Sequence, residues 1–293
     1  MDAAWRRLAR TAIAYGAYPV GLVGGVAVTV ALLANGPGGR GWETFVVTGV
    51  LWATSVLVLL AQPLAPRHRE WQDWGPELRV DVLHGVLSTI GGATLARMLF
   101  FGAIAWVSAQ AARYGWGIWP DHWPLLVQLP LAVLVSDAVV YWLHRASHAS
   151  PLLWRLHELH HSSERLYALS SGRTHPFYVA LSTTLTTAPL LALGADPPTL
   201  ALLSAFTGIN GILQHANLDL RCGPLSLVLA TCDAHRWHHS ADPAEQRTNF
   251  GNNLSFWDRL FGTWRLPDGL PAAVGLGAPF PRGWVAQLVR PLR

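Results

Sequence analysis

Charged side chains are scarce in this chain. Only 13% of its 293 residues are Asp, Glu, Lys or Arg, whereas soluble domains contain about a quarter. Long apolar stretches account for the difference and argue against an ordinary soluble protein. The net charge of +4 does not indicate nucleic-acid binding, because the arginines lie in short loops and form no basic stripe interleaved with aromatic residues.

Cysteine is almost absent as well. Cys222 and Cys232 are the only two cysteines, which excludes a disulfide-rich scaffold and a CxxC metal knuckle. No internal repeat is visible, and no βαβ unit with a dinucleotide fingerprint is predicted. Disulfide-stabilised, repeat and dinucleotide-binding folds are therefore not expected.

Apolar stretches dominate the chain, and a membrane span needs about 20 such residues. Two further apolar runs, separated by Gly194 and by Asp196-Pro197-Pro198, predict a short membrane hairpin. The four predicted spans cover about residues 11–34, 43–65, 81–109 and 123–143, and the hairpin runs cover 177–195 and 198–214. The first span is longer than a signal peptide and lacks a clear cleavage site, so we expect a retained anchor.

The arginine distribution predicts the orientation in the membrane. Arg6, Arg7 and Arg10 precede the first span, and the segment after the second span carries Arg67, Arg69 and Arg79. Positively charged loops stay in the cytoplasm, so the N-terminus is expected there. Four crossings then return the chain to the cytoplasm near His144, which predicts that the later polar segments are cytoplasmic too.

Histidine is the one polar residue in excess. Thirteen are present, and ten fall between positions 144 and 239. Eight of these form three dense sets, namely His144 with His148, His157 with His160 and His161, and His235 with His238 and His239. Residues three or four apart on a helix share a face, and imidazole binds Zn, Cu, Fe and Ni. Eight ligands exceed the need of one ion, so we predict two metal ions with about four nitrogen ligands each.

Other residues extend this candidate site. His215 and His175 lie at the ends of the hairpin runs and are predicted to be further ligands. Metal-bound histidines commonly donate their second N–H to a carboxylate, a role predicted for Asp137, Asp219 and Asp233. Asp137 shares a helical stripe with His144 and His148, which makes it the best of these three candidates.

The second histidine set also fits a different function. The segment His157-Glu158-Leu159-His160-His161 also matches the HExxH pattern of zinc proteases, in which Glu158 would be the general base and His157 and His161 would bind zinc. A membrane protease of this kind would leave the other clustered histidines without a role. The third set has Arg236 at the position of the glutamate, which also disfavours this alternative.

The histidine sets and their surroundings resemble the fatty acid hydroxylase superfamily, close to its sterol desaturase-like branch. The resemblance covers about residues 130 to 264, from Asp137 through the three sets, Arg173-Thr174-His175-Pro176 and Gln214-His215-Ala216-Asn217. It ends in Asn249-Phe250-Gly251-Asn252-Asn253-Leu254-Ser255-Phe256-Trp257-Asp258, a run that separates this superfamily from acyl-CoA desaturases. Within that run, Asn249, Asn253, Trp257 and Asp258 are expected to fasten the segment beneath the site.

The resemblance implies two non-heme iron ions facing the cytoplasm, O2 as co-substrate, and hydroxylation or desaturation of a membrane lipid. Electrons would come from a separate ferredoxin- or cytochrome-type donor. Sterols or hopanoids, fatty acyl lipids, carotenoids and ether lipids all remain open as substrates.

The expected fold is an all-α integral membrane bundle, in a bacterial inner membrane, with a cytoplasmic helical cap that holds the dimetal site. We predict an N-terminal membrane region (1–129), a catalytic region (130–266), and a loosely structured tail (267–293) rich in Pro, Gly and Ala.

Overall fold

A computed structural model describes residues 3–38, 41–75 and 77–292. The described residues form an all-helical fold without β-strands, which confirms the predicted class. The α-helices are α1 Ala3–Asn35, α2 Trp42–Ala61, α3 Glu77–Leu83, α4 Thr89–Tyr114, α5 Leu125–Ala149, α6 Pro151–His161, α7 Pro176–Leu193, α8 Pro197–His215, α9 Cys232–His238, α10 Pro243–Gln246, α11 Phe256–Phe261 and α12 Trp284–Leu288. Short 3₁₀ turns cover Glu70–Gln72, Ala168–Gly172, Gly223–Leu227 and Arg290–Leu292, and a π-helical turn covers His84–Ser88.

Five of the described helical segments are long and apolar enough to cross a membrane, by length and composition. They are Ala4–Asn35, Trp42–Ala61, Glu77–Phe100, Leu125–Ala149 and Pro176–Leu193. Each of the four predicted spans corresponds to one of them, and the fifth is the first helix of the predicted hairpin. The third span begins earlier than predicted, at Glu77, because Arg165 and Arg173 pair with Glu77 and so allow a charged residue in its first turn.

Local sequence signals set the ends of the hairpin helices. Proline occupies the first turn of both α7 and α8, where its missing N–H costs nothing. The Asp196 carboxylate accepts a hydrogen bond from the backbone N–H of Thr199 at 2.9 Å and caps α8. Gly194 ends α7 with φ of 96°, a left-handed conformation that favours glycine. The predicted break between the two apolar runs is therefore confirmed.

Helix α8 lies at the centre of the bundle and packs against α1, α2 and α5, while α4 packs along α7. Its buried residues Ile209 and Leu213 join one apolar cluster with α1 and α2, and Leu202 and Leu203 join a second with α5 and α7. Because α8 is held on all these sides, its last residue, His215, has a fixed position at one end of the bundle.

The C-terminal segment is more ordered than predicted. Residues 284–288 form α12, and the buried Gln287 accepts a hydrogen bond at its Oε1 from His84 Nε2, at 2.8 Å. His84 in turn contacts Ser88 Oγ at 2.8 Å inside the π-helical turn. The prediction of a loosely structured tail is wrong for this part, because a buried polar group on the membrane helix needs the partner that the tail provides.

Candidate metal centre

Four helices bring the histidines to one end of the bundle. The last two turns of α5 carry His144 and His148, and Ser150 links α5 directly to α6, which carries the second set. The third set lies on α9 and at its C-terminal end, and His215 ends α8. The three sequence sets and His215 therefore converge, although they extend from position 144 to position 239 in the sequence.

Nine of the ten predicted histidines form two groups. In each group one candidate ligand atom per residue lies within 4.8 Å of all the others. The five-histidine group consists of His144, His148, His157, His161 and His238, and the four-histidine group consists of His160, His215, His235 and His239. Both groups contain histidine only, so any ion bound there would have nitrogen ligands from the protein, as imidazole-preferring transition metals do.

Imidazole nitrogens of different residues lie within hydrogen-bond distance of one another in the four-histidine group. His235 Nε2 is 2.9 Å from His215 Nε2 and 3.0 Å from His239 Nε2. One proton on His235 can satisfy only one of these contacts. Two nitrogens that bind one ion at about 2.1 Å with a right angle between them are about 3 Å apart, so this convergence fits a shared ion.

The two groups adjoin one another. The rings of His161 and His239, which belong to different groups, have centroids 4.4 Å apart and an interplanar angle of 26°. His160 and His161 are sequence neighbours that belong to different groups. Two ions held in this way would be neighbours, so the geometry fits a paired centre better than two independent sites.

The imidazoles outside the predicted membrane spans are held in the neutral form. Burial lowers the pKa of His160 to about 3. Burial first, and then the neighbouring charged or titratable groups, lower the pKa values of His157, His161, His235, His238 and His239 as well. A neutral imidazole has a free lone pair and is the form that binds metal, so these residues need lose no proton near neutral pH.

Unpartnered nitrogens provide a test of whether metal ions fit. Buried polar atoms nearly always have a hydrogen-bond partner. Within the described part of the chain, three buried Nε2 atoms of the five-histidine group have none, namely His144 Nε2, His148 Nε2 and His238 Nε2. Metal ions would give such atoms the partner that the protein does not, so the donor set fits a metal centre.

In three of the imidazoles, the ring nitrogen Nδ1 contacts a backbone carbonyl or a serine hydroxyl. His144 Nδ1 lies 2.8 Å from the Phe250 carbonyl oxygen, and His238 Nδ1 lies 2.8 Å from the Thr248 carbonyl oxygen. His215 Nδ1 lies 3.0 Å from Ser170 Oγ. These contacts orient the rings, a role usual for the second nitrogen of a metal-bound histidine. The two carbonyl partners could not be predicted from the sequence, because a backbone carbonyl has no sequence signature.

The three carboxylates that were predicted to accept hydrogen bonds from the imidazoles contact other groups instead. The Asp137 carboxylate accepts hydrogen bonds from the backbone N–H groups of Asn253 and Leu254, at 2.9 and 2.6 Å, and from the Asn253 side chain. Asp219 pairs with Arg67, and Asp233 lies 3.3 Å from Arg236. All three carboxylates thus contact groups other than imidazole. Backbone carbonyls and Ser170 orient the imidazoles in their place.

The closing run after Asn249 forms a tight loop beneath the five-histidine group. Asp258 accepts hydrogen bonds from the backbone N–H groups of Phe250 and Gly251, each at 2.7 Å. A Cβ on Gly251 would lie 2.3 Å from the Leu254 carbonyl oxygen, so only glycine fits there. Asn249, at φ of 55°, donates from its side chain to the Ala234 carbonyl oxygen and ties the loop to α9. Asn249 and Asp258 thus have the fastening contacts expected of them.

The structure does not bring His175 into either group. It caps α7, where Nδ1 accepts a hydrogen bond from the backbone N–H of Phe177 at 3.3 Å, and Nε2 lies 3.0 Å from the Leu288 carbonyl oxygen. Both ring nitrogens therefore have backbone partners. The structure therefore gives no support to the prediction that His175 is a metal ligand.

The protease alternative has little geometric support. Its general base would be Glu158, but this carboxylate pairs with Arg290 at 3.2 Å. His157 and His161 belong to the five-histidine group, so three further imidazoles crowd the site where a protease needs space for water and peptide.

Comparisons with known proteins agree with this geometry. Residues 129–263 match the family model described as fatty acid hydroxylase. The ornithine lipid hydroxylase OlsE of Rhizobium tropici is 37% identical over 246 residues, which are 83% of this chain and 74% of that protein. The alkylglycerol monooxygenases of Danio rerio and Homo sapiens are 36% and 29% identical, over 51% and 62% of this chain but only 33% and 41% of their own lengths. No solved structure matches the chain. The sequence matches, the predicted membrane helices and the histidine groups together show that the chain belongs to the fatty acid hydroxylase superfamily.

Proposed function

We propose that the protein is a membrane-bound lipid hydroxylase that holds two iron ions in the two histidine groups and uses O2 and external electrons. The single observation that carries this proposal is the convergence of nine imidazoles, all but His160 buried, into two adjoining groups. The lipid hydroxylases and monooxygenases among its relatives support the reaction class. They also make ornithine lipids and alkylglycerols the first substrates to assay.

The protein residues position and shield the reaction. Bound iron would supply what no side chain can, the activation of O2 so that one oxygen atom enters a C–H bond and the other leaves as water, with two electrons and two protons consumed. The carbonyl oxygens of Phe250 and Thr248 hold the rings of His144 and His238 in fixed orientations. Burial of the imidazoles keeps water and protons away from them, which protects a reactive centre from side reactions.

Two cavities give a substrate access to the four-histidine group. Cavities of about 380 and 430 Å³ are both lined by His160 and His235, and volumes of this size are typical of ligand sites. They extend along membrane helices α7 and α2, so a lipid has a route from the bilayer to the imidazoles without passing through water.

We also propose that the site faces the cytoplasm. Arg10 donates to the Leu64 carbonyl oxygen at 3.2 Å, and Arg67 pairs with Asp219, close after His215 in the chain. The arginine-rich N-terminus, the segment after α2 and the four-histidine group therefore lie at one end of the molecule. Positively charged ends remain cytoplasmic, where a ferredoxin- or cytochrome-type donor would deliver electrons.

Metal analysis and lipid oxidation test the proposal together. Protein purified anaerobically with iron should contain about two iron ions per chain and should hydroxylate an ornithine lipid or an alkylglycerol when given O2 and a reduced ferredoxin. His238→Ala and His160→Ala each remove a ligand from one group, and we expect both to lower iron content and abolish oxidation.

Glu158→Gln is the matched control. It changes the HExxH glutamate, whose carboxylate faces Arg290, and we expect iron content and lipid oxidation to persist. A proteolytic activity that is lost in Glu158→Gln and kept in full in His238→Ala would instead support the protease alternative. Iron-loaded protein that oxidises no lipid would overturn the proposed function.

A further inference from the structure

The C-terminal helix α12 contacts the third membrane span through one buried residue. Gln287 is 3% exposed, and both ends of its side-chain amide are hydrogen-bonded. Its Nε2 donates to the Pro281 carbonyl oxygen at 2.6 Å, and its Oε1 accepts from His84 Nε2 at 2.8 Å. Its backbone N–H donates to the Gly283 carbonyl oxygen at 2.9 Å. Gln287 is therefore fixed within its own segment and offers one acceptor to the membrane span.

The partner of Gln287 begins the π-helical turn His84–Ser88. His84 is completely buried, and because its Nε2–H donates to Gln287, its Nδ1 accepts from the Ser88 hydroxyl at 2.8 Å. One imidazole thus joins the two ends of the turn and ties them to α12. Turns of this kind are rare and occur often at functional sites. These contacts stabilise the irregular turn against the regular α-helix on either side of it.

The π-helical turn packs directly on the 3₁₀ turn Ala168–Gly172. A Cβ on Gly172 would lie 2.9 Å from Gly85 Cα, so a larger residue there would push the two backbones apart. Both turns line the cavity of about 430 Å³, the first through Gly85 and Val86 and the second through Leu169 and Gly172. Because packed backbones deform little, a shift of the π-helical turn also moves the 3₁₀ turn and the cavity wall.

The 3₁₀ turn orients one of the candidate ligands. The buried Ser170 donates its hydroxyl proton to the Tyr167 carbonyl oxygen at 2.8 Å, and its Oγ lies 3.0 Å from His215 Nδ1. Since that proton is already used, Ser170 Oγ accepts from His215 Nδ1–H. The lone pair of His215 is then on Nε2, the atom that lies 2.9 Å from His235 Nε2. The orientation of His215 therefore depends on the position of the 3₁₀ turn.

We propose that Gln287 is a positioning residue of the four-histidine group. It holds His84 and the π-helical turn, the contact between Gly85 and Gly172 places the 3₁₀ turn, and Ser170 sets the ring of His215. The effect on a bound ion rests on the proposed function, whereas the placement of the two turns does not.

Hydrogen–deuterium exchange of the metal-free, full-length protein tests the placement of the turns. Gln287→Leu removes the acceptor of His84 and keeps a side chain of similar size. We expect backbone exchange in residues 84–90 and 168–172 to become about tenfold faster, the change that loss of one buried hydrogen bond causes in a local opening equilibrium.

Gln128→Leu is the matched control for general destabilisation. Gln128 is 1% exposed, and its side-chain amide also has partners at both ends, Trp119 Nε1 and the Trp123 carbonyl oxygen. It lies in the first turn of α5, the end of that helix away from the histidines. We expect exchange in residues 84–90 and 168–172 to stay unchanged in this variant.

Cobalt titration, followed by visible absorption, tests the effect on the ligands. Imidazole binds ions of this class, and we expect about two Co²⁺ per chain. Gln287→Leu and Ser170→Ala should each weaken one of them about tenfold, the usual loss when a partner of a metal-bound histidine is removed. His215→Ala should weaken the same Co²⁺, whereas Gln128→Leu should leave both unchanged.

Two glycine substitutions test the contact between the turns without changing Gln287. Gly172→Ala forces the turns apart, whereas a Cβ on Gly85 would meet no atom within 4 Å. We expect Gly172→Ala to weaken the same Co²⁺ about tenfold and Gly85→Ala to leave both ions unchanged. This pair tests the path to His215 even if Gln287→Leu does not fold, and equal binding in the two glycine variants would overturn it.

The remaining outcomes separate this inference from the proposed function. Unchanged exchange in residues 168–172 of Gln287→Leu would overturn placement of the 3₁₀ turn by Gln287. Equal weakening of both Co²⁺ ions, or the same changes in Gln128→Leu, would show a general loss of stability and overturn the positioning role. The expected exchange in a protein that holds iron but oxidises no lipid would leave the placement of the turns intact and overturn the proposed function.

Discussion

At the scale of single residues, the partners of a buried imidazole decide whether it is available to a metal. His215 has one nitrogen next to Ser170 and the other next to His235 Nε2, a contact that an ion could replace. His175 has backbone partners on both nitrogens, one of which caps α7. The two histidines stand in similar places in the sequence, at the ends of the hairpin, yet only His215 belongs to a group.

A pair of alanine substitutions tests this distinction. We expect His215→Ala to lower the iron content of purified protein, because it removes one of four imidazoles from its group. His175→Ala should leave iron content unchanged and lower thermal stability by about 1 kcal/mol, the usual cost of a lost N-cap. Iron analysis and thermal unfolding of the two variants measure both effects. Equal loss of iron in both would show that His175 is a ligand after all.

The spacing of the histidines in the sequence predicted the candidate ligands, but it did not predict the groups that contact them. The i, i+3 and i, i+4 patterns identified eight histidines because helix geometry alone puts them on one face. The partners of His144 and His238 were not predictable, since they are carbonyl oxygens of a loop 106 and 10 residues away. Asp137 shares a helical stripe with two histidines, but the donors that it contacts are the N–H groups of Asn253 and Leu254.

At the scale of elements, the loop from Asn249 to Leu254 is the support of the five-histidine group. Two buried carboxylates, Asp137 and Asp258, hold it from opposite ends through backbone N–H groups. The loop in turn presents the Phe250 carbonyl oxygen to His144. Asp137 thus acts on the histidines through the loop, as a positioning residue.

We expect Asp137→Asn to destabilise the protein and weaken iron binding together. The amide has one acceptor oxygen in place of two, so at least one buried N–H of the loop loses its partner, at a cost of about 1.5–3 kcal/mol for a bond to a charged group. Thermal unfolding and iron titration of the variant, with the exposed Asp121→Asn as control, measure the two effects. Weaker iron binding with unchanged stability would contradict a role through the loop and favour direct contact with an imidazole.

The helices were predicted well where local signals define their ends, and less well where distant contacts do. Gly194 and Pro197 mark the hairpin break in any context, because one favours positive φ and the other cannot continue a helix from the preceding turn. The early start of the third span at Glu77 depends on Arg165 and Arg173, and the order of α12 depends on a contact with the third span. These partners are close in space only after the bundle forms.

At the scale of the whole molecule, an apolar bundle carries a polar end built from neutral histidines. The unfolded chain would bind protons at these histidines near their ordinary pKa of about 6.5. In the folded protein, burial keeps the pKa values of His157, His161, His235, His238 and His239 well below that, and the pKa of His160 at about 3. The folded and unfolded states therefore differ in bound protons only at acidic pH.

Stability of the metal-free protein should consequently fall with falling pH. Above about pH 6.5 neither state protonates these groups, and their contribution to the free energy of unfolding is constant. Below that value the unfolded chain takes up several protons that the folded protein does not, so the folded state loses stability. We expect the unfolding temperature, followed by tryptophan fluorescence in detergent, to be nearly level at neutral and mildly alkaline pH and to drop steeply as the histidines of the unfolded chain titrate.

Iron and a distant histidine provide the controls for this pH profile. Iron should move the drop to lower pH because it competes with protons for the same nitrogens. His122→Ala should reproduce the profile of the unmodified protein, because His122 is exposed and lies outside both groups. An unfolding temperature that stays level into the acidic range without metal would show that the imidazoles are open to protons in the folded state, and hence that the two groups are not held neutral.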